Sequence, residues 1–506
     1  MPNSVDFSGK PFHFIGIGGI GMSALAYILA KRQIPVYGSD LKSNHITQRL
    51  QQLGAHIFWD QTASNLEVFR TVHQNTSIPN TYSSGGTLRN GKGNASTREL
   101  PQVICSTAID PTNAEYRAAL ALGCPIFHRS DVLAALIRDY HSIAVAGTHG
   151  KTTTSSMVGF LLMSAGLDPT IVVGGEVKAW DGNARLGDGK YLVAEADESD
   201  GSLVKFDAQI GIVTNIELDH PDHYQSLEEV IGIFQQFARR CQLNIGCIDC
   251  SVVRDQIAPD ITYSLDPKAD AHYFADNITF SAAGTSARIW ERGRVLGQLD
   301  LKLLGRHNLS NALAAVAVGR TLGLDFEIVA AALSHFEGAR RRFELRGVAD
   351  GIRFVDDYAH HPSEIQATLS AARLQAQGNP EETQRVVAIF QPHRYSRTQT
   401  FLHEFAASFA DADVVVVSDV YSAGELPLDR SIGQSLADAI AQQHPCVRYQ
   451  PKLPELADFL GEFLKPGDLA LFLGAGDLNK IIPQAIDAHR QTERERADLA
   501  LRSSCS

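Results

Sequence analysis

The stretch SIAVAGTHGKTTTSSMVGFLL, residues 142–162, joins an apolar run to a glycine turn, a lysine, three threonines and a second apolar run of helical length. Ser142 to Ala146 reads as a buried strand and the residues from Thr152 onward as a helix. The turn between them then lies at a helix N-terminus, where unpaired backbone N–H groups and the helix dipole attract anions. Gly147 and Gly150 let those N–H groups turn inward around phosphate oxygens, Lys151 supplies a point charge for the terminal phosphates, and the Thr152 hydroxyl suits Mg2+. The spacing departs from G-x-x-x-x-G-K-[ST] at its first position, where Val145 replaces glycine. Strand, phosphate loop and helix open a βαβ unit, which predicts an α/β protein built on mainly parallel sheets.

The same alternation recurs on both sides of that unit. PFHFIGIG, IPVYGSD, QVICSTAI, YLVAEAD, IGIVTNI, RVVAIFQ, DVVVVSDV and DLALFLGAG are strand-like runs separated by helix-length segments. Several are apolar without alternation, as strands covered on both faces should be. A chain of 506 residues is long enough for about three domains. Fresh starts at RDYHSIAVAGT and SHFEGARRRFELRG place the boundaries near 140 and 338. The expected domains are a Rossmann-like one over residues 1–140, a central P-loop domain over 141–337 and a second Rossmann-like one over 338–506. Residues 74–98, rich in Ser, Thr, Asn and Gly, read as a surface insertion, and residues 490–506 as a frayed helical tail.

Composition narrows the function. No apolar run approaches the length of about 18 residues that a membrane span needs, and the N-terminus lacks the basic and apolar regions of an export signal. A net charge of -12 argues against phosphate-backbone binding, so neither a membrane nor nucleic acid is an expected partner. Seven scattered cysteines do not form a disulfide framework, and a reducing cytoplasm is the expected setting. Cys247 and Cys250 form a C-x-x-C with no second pair nearby, which reads as packing at a strand end.

Three further patterns carry chemistry. FHFIGIGGIGMSALA, residues 12–26, holds Gly16, Gly18 and Gly21 as G-x-G-x-x-G, and Asp40 follows where a dinucleotide fold holds a ribose. That loop alone fits NAD as well as another pyrophosphate. GKYLVAEADESDGS offers Glu195, Asp197, Glu198 and Asp200 after one strand, and IGIVTNIELDHPDHY offers Asp219 and His220 after another; either set fits Mg2+. In QPHRYSRT, Arg394 and Arg397 lie three apart at a helix start and face one side, as an anion clamp or as a solvated basic edge.

Taken together, these motifs resemble the Mur ligase family, the ATP-dependent amide-bond-forming enzymes of bacterial cell-wall synthesis. GTHGKTTT resembles its ATP loop, which brings Thr148, His149 and Thr153 into the nucleotide site beside Gly147, Gly150, Lys151 and Thr152. EADESD resembles its Mg2+ segment, with Glu195, and NIELDHPDHY its second metal segment, with His220. GRHNLSNALAA resembles the helix start whose Asn308 and Asn311 contact adenine, and RRRFE the segment whose arginine, here Arg342, reaches the ATP phosphates. Asp357 joins the ATP contacts on the same resemblance. HFIGIGGIGMSALA, DDYAHHPSEI, QPHRYSRT and DVYSAGE are similar to the family's alanine-adding branch.

The resemblance implies that the first glycine loop serves a UDP-sugar rather than a nicotinamide dinucleotide. Gly18, Gly19, Gly21 and Ser23 then lie near the pyrophosphate, Asp40 near uridine, and Ser106 and Thr107 are further contacts. Tyr358, His360, Arg394 and Arg397 form the amino-acid pocket. The implied substrates are ATP, UDP-N-acetylmuramate and L-alanine, with Mg2+ as cofactor and the chain a monomer or homodimer. The muramate carboxylate attacks the γ-phosphate, and the alanine amine then displaces phosphate from the acyl phosphate. Lys151, His220, Arg342 and His360 are the expected catalytic residues, with His220 and His360 the candidates for taking the amine's proton. Two departures from the family accompany this: the 74–98 insertion, and Gln235 about where several relatives carry a carbamylated lysine. Rival readings are a ligase that attaches a preformed tripeptide, an NAD-dependent oxidoreductase and a catalytically silent nucleotide-binding regulator.

Overall fold

The computed structural model describes residues 4–69, 100–378, 385–426 and 431–504. The expected 74–98 insertion lies outside the described residues. The chain falls into two compact units, Met1–Leu136 and Ile137–Ser506.

The first unit is an open parallel sheet of β1 (Phe12–Ile15), β2 (Val36–Ser39), β3 (His56–Phe58), β4 (Gln102–Cys105) and β5 (Ile126–His128), in the order 3-2-1-4-5. Every residue of β1 is buried, as a strand at the centre of a two-faced sheet must be. One buried polar network interrupts the apolar interior. Glu115 accepts from the Ser39 hydroxyl at 2.5 Å and the Asn65 amide at 3.0 Å, and lies 2.7 Å from His13 Nε2. Shared partners satisfy a carboxylate that burial would otherwise penalise.

The second unit holds two sheets. Ten strands form the larger: β6 (His141–Ala146), β7 (Thr170–Val177), β8 (Gly182–Arg185), β9 (Tyr191–Glu195), β10 (Ile210–Val213), β11 (Leu243–Cys247), β12 (Ile261–Ser264), β13 (Tyr273–Ser281), β14 (Gly284–Glu291) and β15 (Arg294–Leu301). Their order is 15-14-13-12-11-10-6-9-7-8, parallel from β13 through β7 and antiparallel at both edges. β6 sits between β10 and β9, so the chain leaves the sheet centre in both directions and opens a crevice at the strands' carboxyl ends.

The smaller sheet comprises β16 (Glu344–Ala349), β17 (Ile352–Asp357), β18 (Arg385–Phe390), β19 (Val414–Val417), β20 (Val447–Tyr449) and β21 (Asp468–Leu473), in the order 16-17-21-18-19-20. Only the β16–β17 pair is antiparallel. Alternate residues of β18 enter different cores: Val386, Ala388 and Phe390 meet Ile365 and Leu369 of the helix Pro362–Gly378, while Val387 and Ile389 meet Ile482 and Ala485 of the helix Ile482–Ser504. A period-2 strand flanked by helices on both sides therefore reads as an unbroken apolar run. The C-terminal tail extends this last helix, and Arg496 pairs with Asp350 at 2.8 Å. No helix among the described residues is long and apolar enough to cross a membrane.

Candidate active site

The phosphate loop leaves the carboxyl end of β6 with Gly147 at φ 141° and Gly150 at φ 81°. A side chain at 147 would place its Cβ 1.9 Å from Thr214 Oγ1, so only glycine fits beneath the loop. The segment after β10 pins the loop from below. The Thr214 hydroxyl donates to the His149 carbonyl at 2.6 Å, Asn215 Oδ1 accepts from the His149 N–H at 2.8 Å, and the Glu217 N–H donates to Thr148 Oγ1 at 2.8 Å. Gly150 caps the helix Lys151–Ser164, on whose first turn Lys151, Thr152 and Thr153 sit.

Lys151 Nζ donates to the carbonyls of Gly147 (2.7 Å) and Thr148 (3.0 Å) and to Glu198 Oε1 (2.8 Å). Burial opposes its charge, yet Glu198, Asp197 and Glu195 outweigh that penalty and hold it above the ordinary lysine value. Thr152 Oγ1 donates to Glu195 Oε1 at 3.1 Å, and the Gly174 N–H holds the other carboxylate oxygen at 2.7 Å. Burial pushes the Glu195 carboxyl up, against the pull of Lys151. A hydroxyl and a carboxylate oxygen about 3 Å apart fit neighbouring corners of an octahedron with bonds of about 2.1 Å, the geometry of Mg2+.

A cavity of about 720 Å3 opens beside the loop, between the larger and the smaller sheet of the second unit. His149, Asn308 and Asn311 line it from one side, Asp357 and Glu364 from the other, and Arg342 from the connection. Asn308 sits at the start of the helix Arg306–Thr321, its amide donating to the Leu304 carbonyl at 2.8 Å and its Oδ1 3.5 Å from Asn311 Nδ2. Arg342 lies 3.6 Å from Glu364 and 5.3 Å from the centre of the Tyr358 ring. Burial lifts Asp357 to about 6, although Arg342 and the N–H groups of Ala359 and Phe343 favour its charged form. Burial also works against a charge on His149, but Glu217 and Glu364 raise it to about 9. Cys247 closes β11 against Ser310 and, with Cys250, forms part of the wall.

A second cluster beside Lys151 joins the segment after β10 to the helix start after β18. Asp219 accepts from Arg397 Nε at 2.8 Å, in a pair whose side chains are 5% and 1% exposed. Despite burial, Arg397 keeps the Asp219 carboxyl far below the usual range. His220 Nε2 lies 3.7 Å from Glu198 and 3.6 Å from Asp219, and Arg397 donates to its Nδ1 at 3.5 Å. Burial lowers the affinity of His220 for a proton, but Glu198 and Asp219 raise it by more. His360 is fixed by Glu364 at 3.1 Å, with its ring edge-on to Tyr358 and His393. Arg394, 30% exposed, pairs with Asp222 at 3.0 Å and Glu425 at 3.3 Å.

In the first unit, Gly18, Gly19, Gly21, Asp40, Ser106 and Thr107 lie beyond the carboxyl ends of β1, β2 and β4. Asp40 Oδ2 accepts from the Gly18 N–H at 2.8 Å, and Gly19 caps the helix Ile20–Lys31. Ser23 is buried with its hydroxyl on the Ile20 carbonyl at 3.0 Å. Arg129, not singled out from the sequence, stands over the loop, with Nη1 3.1 Å from where a Cβ on Gly21 would be. Three more unforeseen contacts are Glu364, His361 and the Glu198 grip on Lys151. The HHPSE run ahead of a helix was the only sequence signal for the first two.

The comparisons agree across the chain. Residues 11–141 match the catalytic domain of the Mur ligase family, 145–319 the Mur ligase middle domain, and 341–476 the Mur ligase glutamate ligase domain. A UDP-N-acetylmuramate–L-alanine ligase of Nostoc punctiforme is 66% identical over 96% of this chain and 98% of its own. One of Gloeothece citriformis is 60% identical over 96% and 99%. The crystal structure of the UDP-N-acetylmuramate-alanine ligase of Thermotoga maritima superposes with a TM-score of 0.77 at 29% identity, covering 96% of this chain and 99% of that one. A murein peptide ligase of Psychrobacter arcticus, at 22% identity and a TM-score of 0.67 over 95% and 99%, shares the fold. With three domain matches in order and relatives alike from end to end, this chain belongs to the Mur ligase family.

Proposed function

We propose that this chain joins L-alanine to the carboxylate of UDP-N-acetylmuramate, using ATP and releasing ADP and phosphate, as a step of peptidoglycan synthesis in the cytoplasm. The observation that carries this reading is the 66% identity, over nearly the whole chain, to a ligase of that name. A carboxylate does not acylate an amine in neutral water, since its oxygen is a poor leaving group; transfer of the γ-phosphoryl group supplies a good one. Lys151 and Arg342 neutralise charge on that group as it moves, a reading supported by the place of Lys151 at the start of the loop helix and of Arg342 in the cavity wall. Thr152 and Glu195 would hold Mg2+, with His220 as a third contact, and the ion would supply further charge neutralisation at the phosphates. Asn308, Asn311, His149 and Asp357 line the cavity that takes the nucleotide.

In the first unit, Gly18, Gly19, Gly21 and Arg129 hold the pyrophosphate and Asp40 the uridine ribose. Tyr358, His360, Arg394 and Arg397 form the alanine pocket. Arg394, part-exposed although paired with Asp222 and Glu425, is the cation offered to the alanine carboxylate, whereas the buried Arg397, spent on Asp219, steadies His220. His360 takes the amine proton, or His220 when it is not on the ion, and the amine then attacks the acyl carbon. The test is coupled ADP release with UDP-N-acetylmuramate and a panel of amino acids and the tripeptide. Release that depends on alanine is expected; release with tripeptide but not alanine overturns the reading.

A further inference from the structure

The imidazole of His149 lies among side chains brought together only by the fold. Glu217 comes from the segment after β10, and His361 and Glu364 from the entry to the helix Pro362–Gly378. His149 Nε2 is 3.3 Å from Glu217 Oε2, and His361 Nδ1 is 3.9 Å from the same oxygen. One candidate ligand atom from each of the three lies within 4.8 Å of the others, and the two rings are 4.7 Å apart. His361 is 5% exposed, and its Nε2 has no hydrogen-bond partner.

We propose that His149, Glu217 and His361 bind one divalent ion of the zinc class. Two imidazoles and a carboxylate are the ligand set of zinc rather than of Mg2+, which takes oxygen. Four-coordinate zinc with bonds of about 2.0–2.1 Å needs ligand atoms about 3.3 Å apart, so side-chain shifts of about an ångström close the site. The surrounding groups fit as well. Glu364 Oε1 lies 3.4 Å from His149 Nδ1, the carboxylate–histidine arrangement that orients a metal-binding imidazole, and the Ser363 hydroxyl donates to Glu217 at 2.6 Å. His149 and Glu217 line the nucleotide cavity, so the fourth position opens there for water or a ligand oxygen. The Thr152–Glu195 pair is a separate, all-oxygen set. An ion at the new site fastens the phosphate loop to the third domain and, by binding only the folded chain, stabilises it.

The test uses the full chain without an affinity tag, stripped with chelator and held in excess Mg2+, and titrates in Co2+. One equivalent should produce the visible absorption of a four- or five-coordinate ion. H361Q and E217Q should abolish that band, E195Q should keep it, and E364Q should weaken Co2+ binding about tenfold or more. Zn2+ should raise the melting temperature of the parent and leave both ligand variants unmoved. Glu217 is 42% exposed, so E217Q decides the matter even if H361Q fails to fold. No band at one equivalent, or an undiminished band in either ligand variant, overturns the proposal.

Discussion

At the scale of single residues, Lys151 and Arg397 make opposite kinds of contribution. Lys151→Met removes the only side-chain cation on the first turn of the loop helix, and should cut alanine-dependent ADP release by about a hundredfold or more while the far-ultraviolet dichroism stays unchanged. Arg397→Ala instead leaves Asp219 charged and buried without its partner. Urea denaturation should show a loss of about 3–5 kcal/mol. The sequence made Lys151, Thr152 and Glu195 legible because each follows a strand or opens a helix within one local motif. It did not disclose that Arg397 is spent on Asp219, 178 residues away, or that Glu198 grips Lys151 across 47 residues. Charged side chains find such partners only once sheet order is fixed, and no local spacing encodes sheet order.

At the scale of elements, the loop between β6 and its helix works through close approach. Gly147→Ala drives a methyl group into Thr214 at a backbone angle that disfavours any side chain, so nucleotide binding, followed by calorimetric titration, should be lost. Gly166→Ala is the control, because φ is also positive there but no atom lies within 4 Å of the added methyl, and binding should persist. The runs read as strand-like from the sequence all became strands, since a strand covered on both faces needs nothing but apolar residues. The antiparallel β13–β15 segment was not foreseen. Its inward residues Ala275, Ala287, Ile289 and Leu299 alternate with polar ones such as Asp276 and Arg288, and its tight turn at Arg292 and Gly293 lacks a strong turn signature. Half-exposed strands carry a weaker apolar signal than buried ones.

At the scale of the molecule, acid should be more damaging than the composition suggests. Burial, aided by Arg342, lowers His307 to about 4, and burial with His360, Arg397 and Arg394 lowers His393 to about 3. The unfolded chain takes up these protons near pH 6.5 and the folded one far lower, so the stability these two groups contribute is intact above 6.5 and falls as pH drops toward 4, whereas the contribution of His149 fades in the opposite direction, as pH rises toward 9. Scanning fluorimetry should show the melting temperature declining over that range, less steeply in His393→Gln. The cavity beside the phosphate loop has a last consequence. Its walls belong to separate hydrophobic cores, one on the larger sheet of the second unit and one on the face of the smaller sheet that carries the helix Pro362–Gly378. A guest touching both walls welds them thermodynamically, so heat absorption that is broad or split in the empty enzyme should sharpen into one cooperative peak once the guest is seated.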